Sequence, residues 1–442
     1  MATFEGILLI LFAALLLTAA ARRLGVPYPV MLALGGAGLA LLPPAPALEI
    51  EPDLILALFV APILLDAAYD TSLRDLRANW IPIGGLVLVA VGATVAAVAW
   101  VAKALLPDMP WAVAITLGAV VAPPDAASAL AILKQIRIPH RLQVILEGES
   151  LLNDASALMI YKLAVAAALS GAFMPSDVAP TFALGVLGSV VVGWALARAN
   201  IVVSRRIADP PTAIIMQFLG TFGVWILAER LGLSAIVTIV TYGITTARRS
   251  PGLVSPRFRI PSYAVWETVV LILNVFAFVL IGLQLRHVME RLTAGEGPHH
   301  LVVAGAVLAA VIAARFGWVM TYTLVVRWTP QRHDTRAHRK TGAAAFGGAV
   351  IVSWCGMRGI VTLATALALP VTPAFPYRDL IVLCAFVVVL GTLLIQGLTL
   401  RALIGRVGSR DDDPVGREIV LGRKRMTRAA LDAIGDGGPP DA

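Results

Sequence analysis

The sequence predicts an all-α, polytopic membrane protein of about thirteen transmembrane helices. Three observations predict it. Of the 442 residues, 59% are hydrophobic and 14% charged, where a soluble domain has about 45–50% and about 25%. Apolar runs near the roughly 20 residues that cross a bilayer recur along the whole chain. Basic residues gather in alternate connections between those runs, as they do on the cytoplasmic side of a membrane.

The runs place spans at 4–21, 28–43, 53–70, 80–103, 111–133, 143–170, 178–203, 210–229, 234–247, 262–285, 301–327, 343–370 and 379–404. The basic connections hold Arg22 and Arg23, then Arg74 and Arg77, then Lys134, Arg137 and Arg141. They continue with Arg205 and Arg206, with Arg248, Arg249, Arg257 and Arg259, and with the stretch from Arg327 to Lys340. The first intervening connection carries Glu49, Glu51 and Asp53 instead. The positive-inside rule then puts the N-terminus outside and the C-terminus in the cytoplasm of a multi-pass protein of the cell membrane. This distribution accounts for the formal charge of +8 without a nucleic-acid partner. No basic region precedes the first apolar run, so that run reads as a span and not as a cleaved leader. Cys355 and Cys384 fall inside spans and are expected as buried free thiols.

Residues 1–408 read as the membrane region and 409–442 as a polar cytoplasmic tail, in which 417–434 has the pattern of a basic amphipathic helix. Two interruptions mark the internal organisation. Span 5 reads GAVVAPPDAASA, with Pro123 and Pro124 near its centre. Span 12 reads IVSWCGMRGIVT, with Gly356 and Gly359 near its centre. With spans 1–6 and 8–13 taken as halves, both interruptions fall in the fifth helix of their half. Six spans and one connector invert the second half relative to the first. Broken helices 5 and 12 in two inverted six-helix repeats point to a transport site near the bilayer midplane. Proline also frees a carbonyl one turn back. At that depth a free carbonyl is tolerated only where it lines a cavity or binds a cation.

Span 6 carries LEGESLLNDASAL at 146–158. Counted from Gln143, Asp154 lies about 16 Å deep at 1.5 Å per residue, near the middle of a core roughly 30 Å thick. A carboxylate so deep is a functional candidate by default. Helical spacing puts Ser150 and Asp154 on one face, and Glu149 and Asn153 on an adjacent one. Oxygen ligands suit a hard cation. Burial makes a charged carboxylate costly, so Asp154 can hold either a cation or a proton. Glu149 reads as half of a structural pair with a buried base, Arg315 of span 11 or Arg358 of span 12. Asp125 starts the second half of span 5, where an acid complements the helix dipole or meets a cation directly or through water. Asp66 and Glu267, in spans 3 and 10, stand between a cation path and a structural pair. Glu147 and Lys162 lie nearer the helix ends, placed to snorkel.

Other chemistries lack support. His140, His287, His299, His300, His333 and His338 sit in loops or at span ends, which argues against an intramembrane metal cluster. There is no HExxH and no GxxxxGK[ST] string, so no cofactor is expected and ATP is not the expected energy source.

At these residues the chain resembles the monovalent cation:proton antiporters, in their sodium/proton exchanger branch. PPDAASALAILKQIRIPHRLQVILEGESLLNDASAL carries most of the resemblance, and EGESLLND is its most specific string. WCGMRGIVTLATALALP resembles the family's Gly-Leu-Arg-Gly segment, and WETVVLILNVFAFVLIGLQL its span 10. The resemblance implies thirteen helices in inverted repeats and a homodimer. It also implies a six-helix core, within 80–170 and 301–404, moving against dimer helices within 4–70 and 178–285. It makes Asp154 the ion-carrying aspartate, Asn153 its partner and Ser150 a cation ligand. Asp125 matches the acid of a Thr-Asp-Pro break and Asp66 an acid of span 3. Glu149 matches a glutamate paired with a span 11 arginine, here Arg315, and Arg358 matches the arginine at the span 12 break. Two positions depart from the pattern. Pro124 and Ala126 flank Asp125, so a carbonyl ligand at 124 survives and a threonine hydroxyl does not. Asp66 stands where glutamate is common, which shortens its reach.

The expected function is secondary antiport of Na⁺, and of Li⁺, for H⁺ by alternating access, with Na⁺ held at Asp154 and Ser150. Of the Asn153–Asp154 pair only Asp154 can change charge, so exchange is expected to be electroneutral. K⁺/H⁺ antiport on the same scaffold is the alternative. A cation channel would need a continuous pore, and an intramembrane aspartyl protease using Asp125 and Asp154 would bring a GxGD string, which is absent. Na⁺, H⁺ and membrane lipid are the expected partners, pH homeostasis the expected role, and no enzymatic activity is expected.

Overall fold

The computed structural model describes residues 2–41, 54, 56–133, 138–171, 175–207, 209–253, 256–286, 297–328, 342–371, 375–407 and 414–435. Among them every regular element is helical. The first half comprises α1 (Ala2–Leu24), α2 (Tyr28–Ala40), α3 (Ala61–Asp70, entered through a π turn at Leu56–Val60) and the short α4 (Leu73–Ala78). It continues with α5 (Trp80–Leu105), α6 (Trp111–Val121), α7 (Ala126–Leu133) and α8 (His140–Ser170). Then follow α9 (Pro175–Ser204), α10 (Pro210–Arg230), α11 (Ala235–Leu253), α12 (Pro256–Leu283) and α13 (Gly297–Trp328). The chain ends through α14 (Gly342–Trp354), α15 (Ile360–Leu367), α16 (Arg378–Val407) and α17 (Pro414–Gly435).

The segments marked by hydropathy are mostly helical where described, but spans 5 and 12 are interrupted at 122–125 and 355–359. Among the described residues, seven helices are long and apolar enough to cross a membrane: α5, α8, Gly185–Ser204 of α9, α10, Ile260–Leu283 of α12, Pro298–Trp328 of α13, and α16. The number falls short of thirteen partly because spans 5 and 12 are each two helices, and α2 and α6 are shorter apolar pieces. The acids of the first loop (Glu49, Glu51, Asp53), Lys134, Arg137, His287, His333 and His338 lie outside the described residues. So do 409–413 and 436–442 of the tail.

Local chemistry sets the ends of these helices. Asp209 caps α10 by accepting the Thr212 N–H at 2.9 Å, and Pro210 follows where the helix needs no donor. Gly171 closes α8 at φ 68°, a left-handed turn that a Cβ would strain. Inside α5 a π turn at Gly85–Ala90 leaves the Val87 carbonyl to accept Ser156 Oγ of α8 at 2.8 Å.

Packing sorts the helices into two sets. One set, α5 to α8 with α13 to α16, packs chiefly within itself, and so does the other, α1 to α3 with α9 to α12. Small residues allow the closest approaches, as is usual between helices in lipid. A Cβ on Gly118 of α6 would overlap Val95 of α5. One on Gly36 of α2 would overlap Val279 of α12, and one on Gly282 of α12 would overlap Ala33 of α2. The sets meet along a thinner seam, where α3 and α12 touch α8 and α15. Large apolar side chains such as Trp100, Leu187 and Leu219 lie exposed on the outside, the face that lipid covers in a membrane. Cys355 and Cys384 are free and buried. The basic helix α17 is exposed, and Arg74 Nη2 reaches its Glu418 Oε2 at 3.1 Å.

Candidate functional site

Chain breaks at residues 122–125, between α6 and α7, and at 355–359, between α14 and α15, cross one another. The Asp125 N–H donates to the Met357 carbonyl at 2.7 Å. Arg358 supplies what the broken ends lack. Its Nε donates to the Val121 carbonyl and its Nη2 to the Ala122 carbonyl, each at 2.9 Å. Its Nη1 donates to the Gly356 carbonyl, and its backbone N–H to Thr392 Oγ1 at 3.0 Å. A cation thus sits at the C-terminal ends of α6 and α14, where helix dipoles favour one and orphaned carbonyls need donors. An acid sits at the opposite poles. Asp125 precedes α7, accepts Ser128 Oγ at 2.6 Å, and lies so close to Gly359 that a Cβ there would overlap its carboxylate. Glycine at 359 is therefore a packing requirement.

Helix α8 passes beside this crossing and uses two of its faces. On one, Asn153 Nδ2 donates to the Pro124 carbonyl at 3.0 Å, and Glu149 meets Arg315 of α13. Arg315 Nη1 and Nη2 reach the two Glu149 carboxylate oxygens at 2.5 and 2.9 Å, and the same guanidinium donates to the Val352 carbonyl of α14. On the other face, Ser150 and the buried Asp154 look into a cavity of about 50 Å³, enough for a small cation with little water. Asp125 and Pro124 share that wall, and Thr362 of α15 adds to it. The opposite wall comes from the other helix set: Ile63 and Ala67 of α3, and Asn274 of α12. The cavity therefore sits on the seam.

Other residues marked in the sequence lie off this wall. Asp66 is half-buried and sits one residue before Ala67, about 100° round the helix from the lining face. Glu267 and Lys162 are exposed, and Glu147 accepts Gln143 Nε2 at 2.8 Å. Arg358 belongs to the break and Arg315 to Glu149. Among the described residues, no three His, Cys, Asp or Glu side chains gather as a metal site would require. Two polar cavity residues escaped the sequence reading. Asn274 is a lone amide within an apolar span, a signal that could have found it. Thr362 gave none, because a threonine in a run of small apolar residues looks like packing.

Residues 7–405 match the family profile described as sodium/hydrogen exchanger, transmembrane. The chain belongs to the sodium/hydrogen exchanger family. A Mycobacterium tuberculosis protein named as an uncharacterized Na(+)/H(+) exchanger is 33% identical over 94% of this chain and 77% of its own length. A Bacillus pumilus protein named as a sodium, potassium, lithium and rubidium/H(+) antiporter is 29% identical over 93% of this chain and 63% of its own. The solved sodium proton antiporter MjNhaP1 of Methanocaldococcus jannaschii shares the fold, with a TM-score of 0.69 at 18% identity over 92% of this chain and 99% of its own. This member of the exchanger family is thus a membrane transporter and not an enzyme. Asp154, Ser150 and the crossed helices lie within the matched region.

Proposed function

We propose that the protein is a secondary antiporter that exchanges Na⁺, and Li⁺, for H⁺ with one-to-one charge balance. The observation that carries this reading is the cavity on the seam, where Asp154 and Ser150 share one wall with Asp125, Pro124 and Thr362 of the crossed broken helices. A dehydrated Na⁺ would bind the Asp154 carboxylate and the Ser150 hydroxyl, with Asp125 in contact directly or through water. A proton on Asp154 neutralises the same group, so cation and proton compete for one place. Neutral loading lets the core, α5 to α8 with α13 to α16, carry either cargo past the other helices at low electrostatic cost. Asn153 cannot titrate, and Glu149 with Arg315 is neutral as a pair. On this reading the membrane region, 1–408, crosses thirteen times in two inverted repeats, with the N-terminus outside and the C-terminal tail in the cytoplasm. The chain works as a homodimer in the cell membrane, and it needs no cofactor.

K⁺/H⁺ exchange is the second reading, favoured by the potassium in the Bacillus relative's name. The test is dequenching of a pH dye in proteoliposomes, with Na⁺, Li⁺ and K⁺ added separately. Dequenching by Na⁺ and Li⁺ is expected. Response to K⁺ alone selects the second reading, and no response to any cation rejects antiport.

A further inference from the structure

Threonine hydroxyls buried in helices of this protein have a regular fate. Those of Thr94, Thr116, Thr246, Thr365 and Thr392 each donate to the carbonyl four residues back, at 2.7–2.8 Å. Thr362 departs from this. It is the third residue of α15, so residue 358, four positions back, lies in the break and not in the helix. The side chain is 1% exposed, its Oγ1 has no hydrogen-bond partner, and it lines the cavity that holds Asp154, Ser150 and Asp125. A buried hydroxyl left without a partner is costly, and a cation supplies one by accepting its lone pairs. The opposite break offers no such group, because position 124 is proline and its carbonyl already accepts Asn153.

Position in the fold favours the same role. A ligand has to stay with its ion while the two helix sets shift. Thr362 stands on α15, which packs on α16 and α6 within the set that carries Asp154 and Ser150. Asn274, Ile63 and Ala67 stand on the other set and would be left behind.

We propose that the Thr362 hydroxyl is a cation ligand in this cavity, completing with Asp154 and Ser150 an all-oxygen site for a small monovalent cation. The proposal rests on the antiport reading. Its signature is a hydroxyl needed by the cation-loaded form and dispensable to the proton-loaded form, since a proton on Asp154 needs no second oxygen ligand.

The test uses the full chain in proteoliposomes, reading Na⁺-driven dye dequenching across Na⁺ concentration at several pH values, for wild type, Thr362→Val and Thr362→Ser. Valine keeps the shape and removes the oxygen. Losing one of a few oxygen ligands is expected to raise half-saturating Na⁺ about tenfold in Thr362→Val, with the maximal rate unchanged and the proton midpoint, extrapolated to zero Na⁺, unchanged as well. Thr362→Ser should stay near wild type. Detergent-solubilised protein gives a second readout: Thr362→Val should need about tenfold more Na⁺ for the same thermal stabilisation. Should Thr362→Val melt early, Thr362→Ala against Thr362→Ser makes the same comparison. Unchanged Na⁺ affinity without the hydroxyl overturns the Thr362 assignment alone, as does a loss of maximal rate at unchanged affinity. A wild type that moves no protons with any cation overturns the antiport reading and this one with it.

Discussion

Arg315 holds Glu149 with two nitrogens at 2.5 and 2.9 Å, and both side chains are almost wholly buried. The pair links α8 to α13, and the remaining donors of the guanidinium tie α14 through Val352. Its two charges cancel, which leaves Asp154 as the group on the neighbouring face of α8 whose charge can vary. Breaking such a pair from one side strands the other charge. Glu149→Gln and Arg315→Gln should each lose about 3–5 kcal/mol of stability, and the double variant should recover part of it. Thermal unfolding in detergent measures this, and strictly additive losses would contradict the coupling.

Asp154→Asn keeps the size and shape of the side chain but removes its charge and its capacity to carry a proton. The variant should be produced as a folded protein and show no cation-driven proton flux above empty vesicles. Near-wild-type flux would remove Asp154 from the mechanism.

Gly359→Ala places a methyl group against the Asp125 carboxylate. The break has to open or Asp125 has to turn, and overpacking of this kind costs about 1–3 kcal/mol. Displacement beside the ion site should slow exchange by about 10²-fold, a larger effect than the loss in melting temperature alone would bring. Gly305→Ala, where an added Cβ meets nothing within 4 Å, is the control and should exchange normally.

If one carboxylate carries either Na⁺ or H⁺, both half-cycles move the same net charge. A potential of 100 mV would otherwise contribute about 2.3 kcal/mol per net charge moved. Exchange in vesicles clamped with valinomycin should therefore run at one rate under inside-negative, zero and inside-positive potentials. Asn153→Asp adds a second acid at the same depth and should either inactivate the protein or make it voltage-sensitive. Voltage dependence in the wild type would mean that a further group changes protonation.

Helix positions, the break at Pro123 and Pro124 and the second at Gly356 and Gly359 were legible in the sequence, because each is a local property. Hydropathy extends over about 20 residues, and the backbone effects of proline and glycine act within one turn. The two faces of α8 were legible for the same reason: residues four apart on a helix share a side whatever surrounds it. The sequence by itself thus determined an all-helical membrane chain with Ser150 and Asp154 on one face and Glu149 and Asn153 on another. It left Glu149 with two arginines to choose from. Which one it meets depends on the rotation and tilt of helices 166 positions apart in the chain, and those are set by where small residues such as Gly118, Gly36 and Gly282 let backbones approach. Only the tertiary structure decided that Arg315 takes Glu149 while Arg358 turns to the carbonyls of the crossed breaks, that Asp66 stands off the cavity wall, and that Thr362 and Asn274 stand on it. A contact between distant helices is a property of their packing, and no periodicity within either helix encodes it.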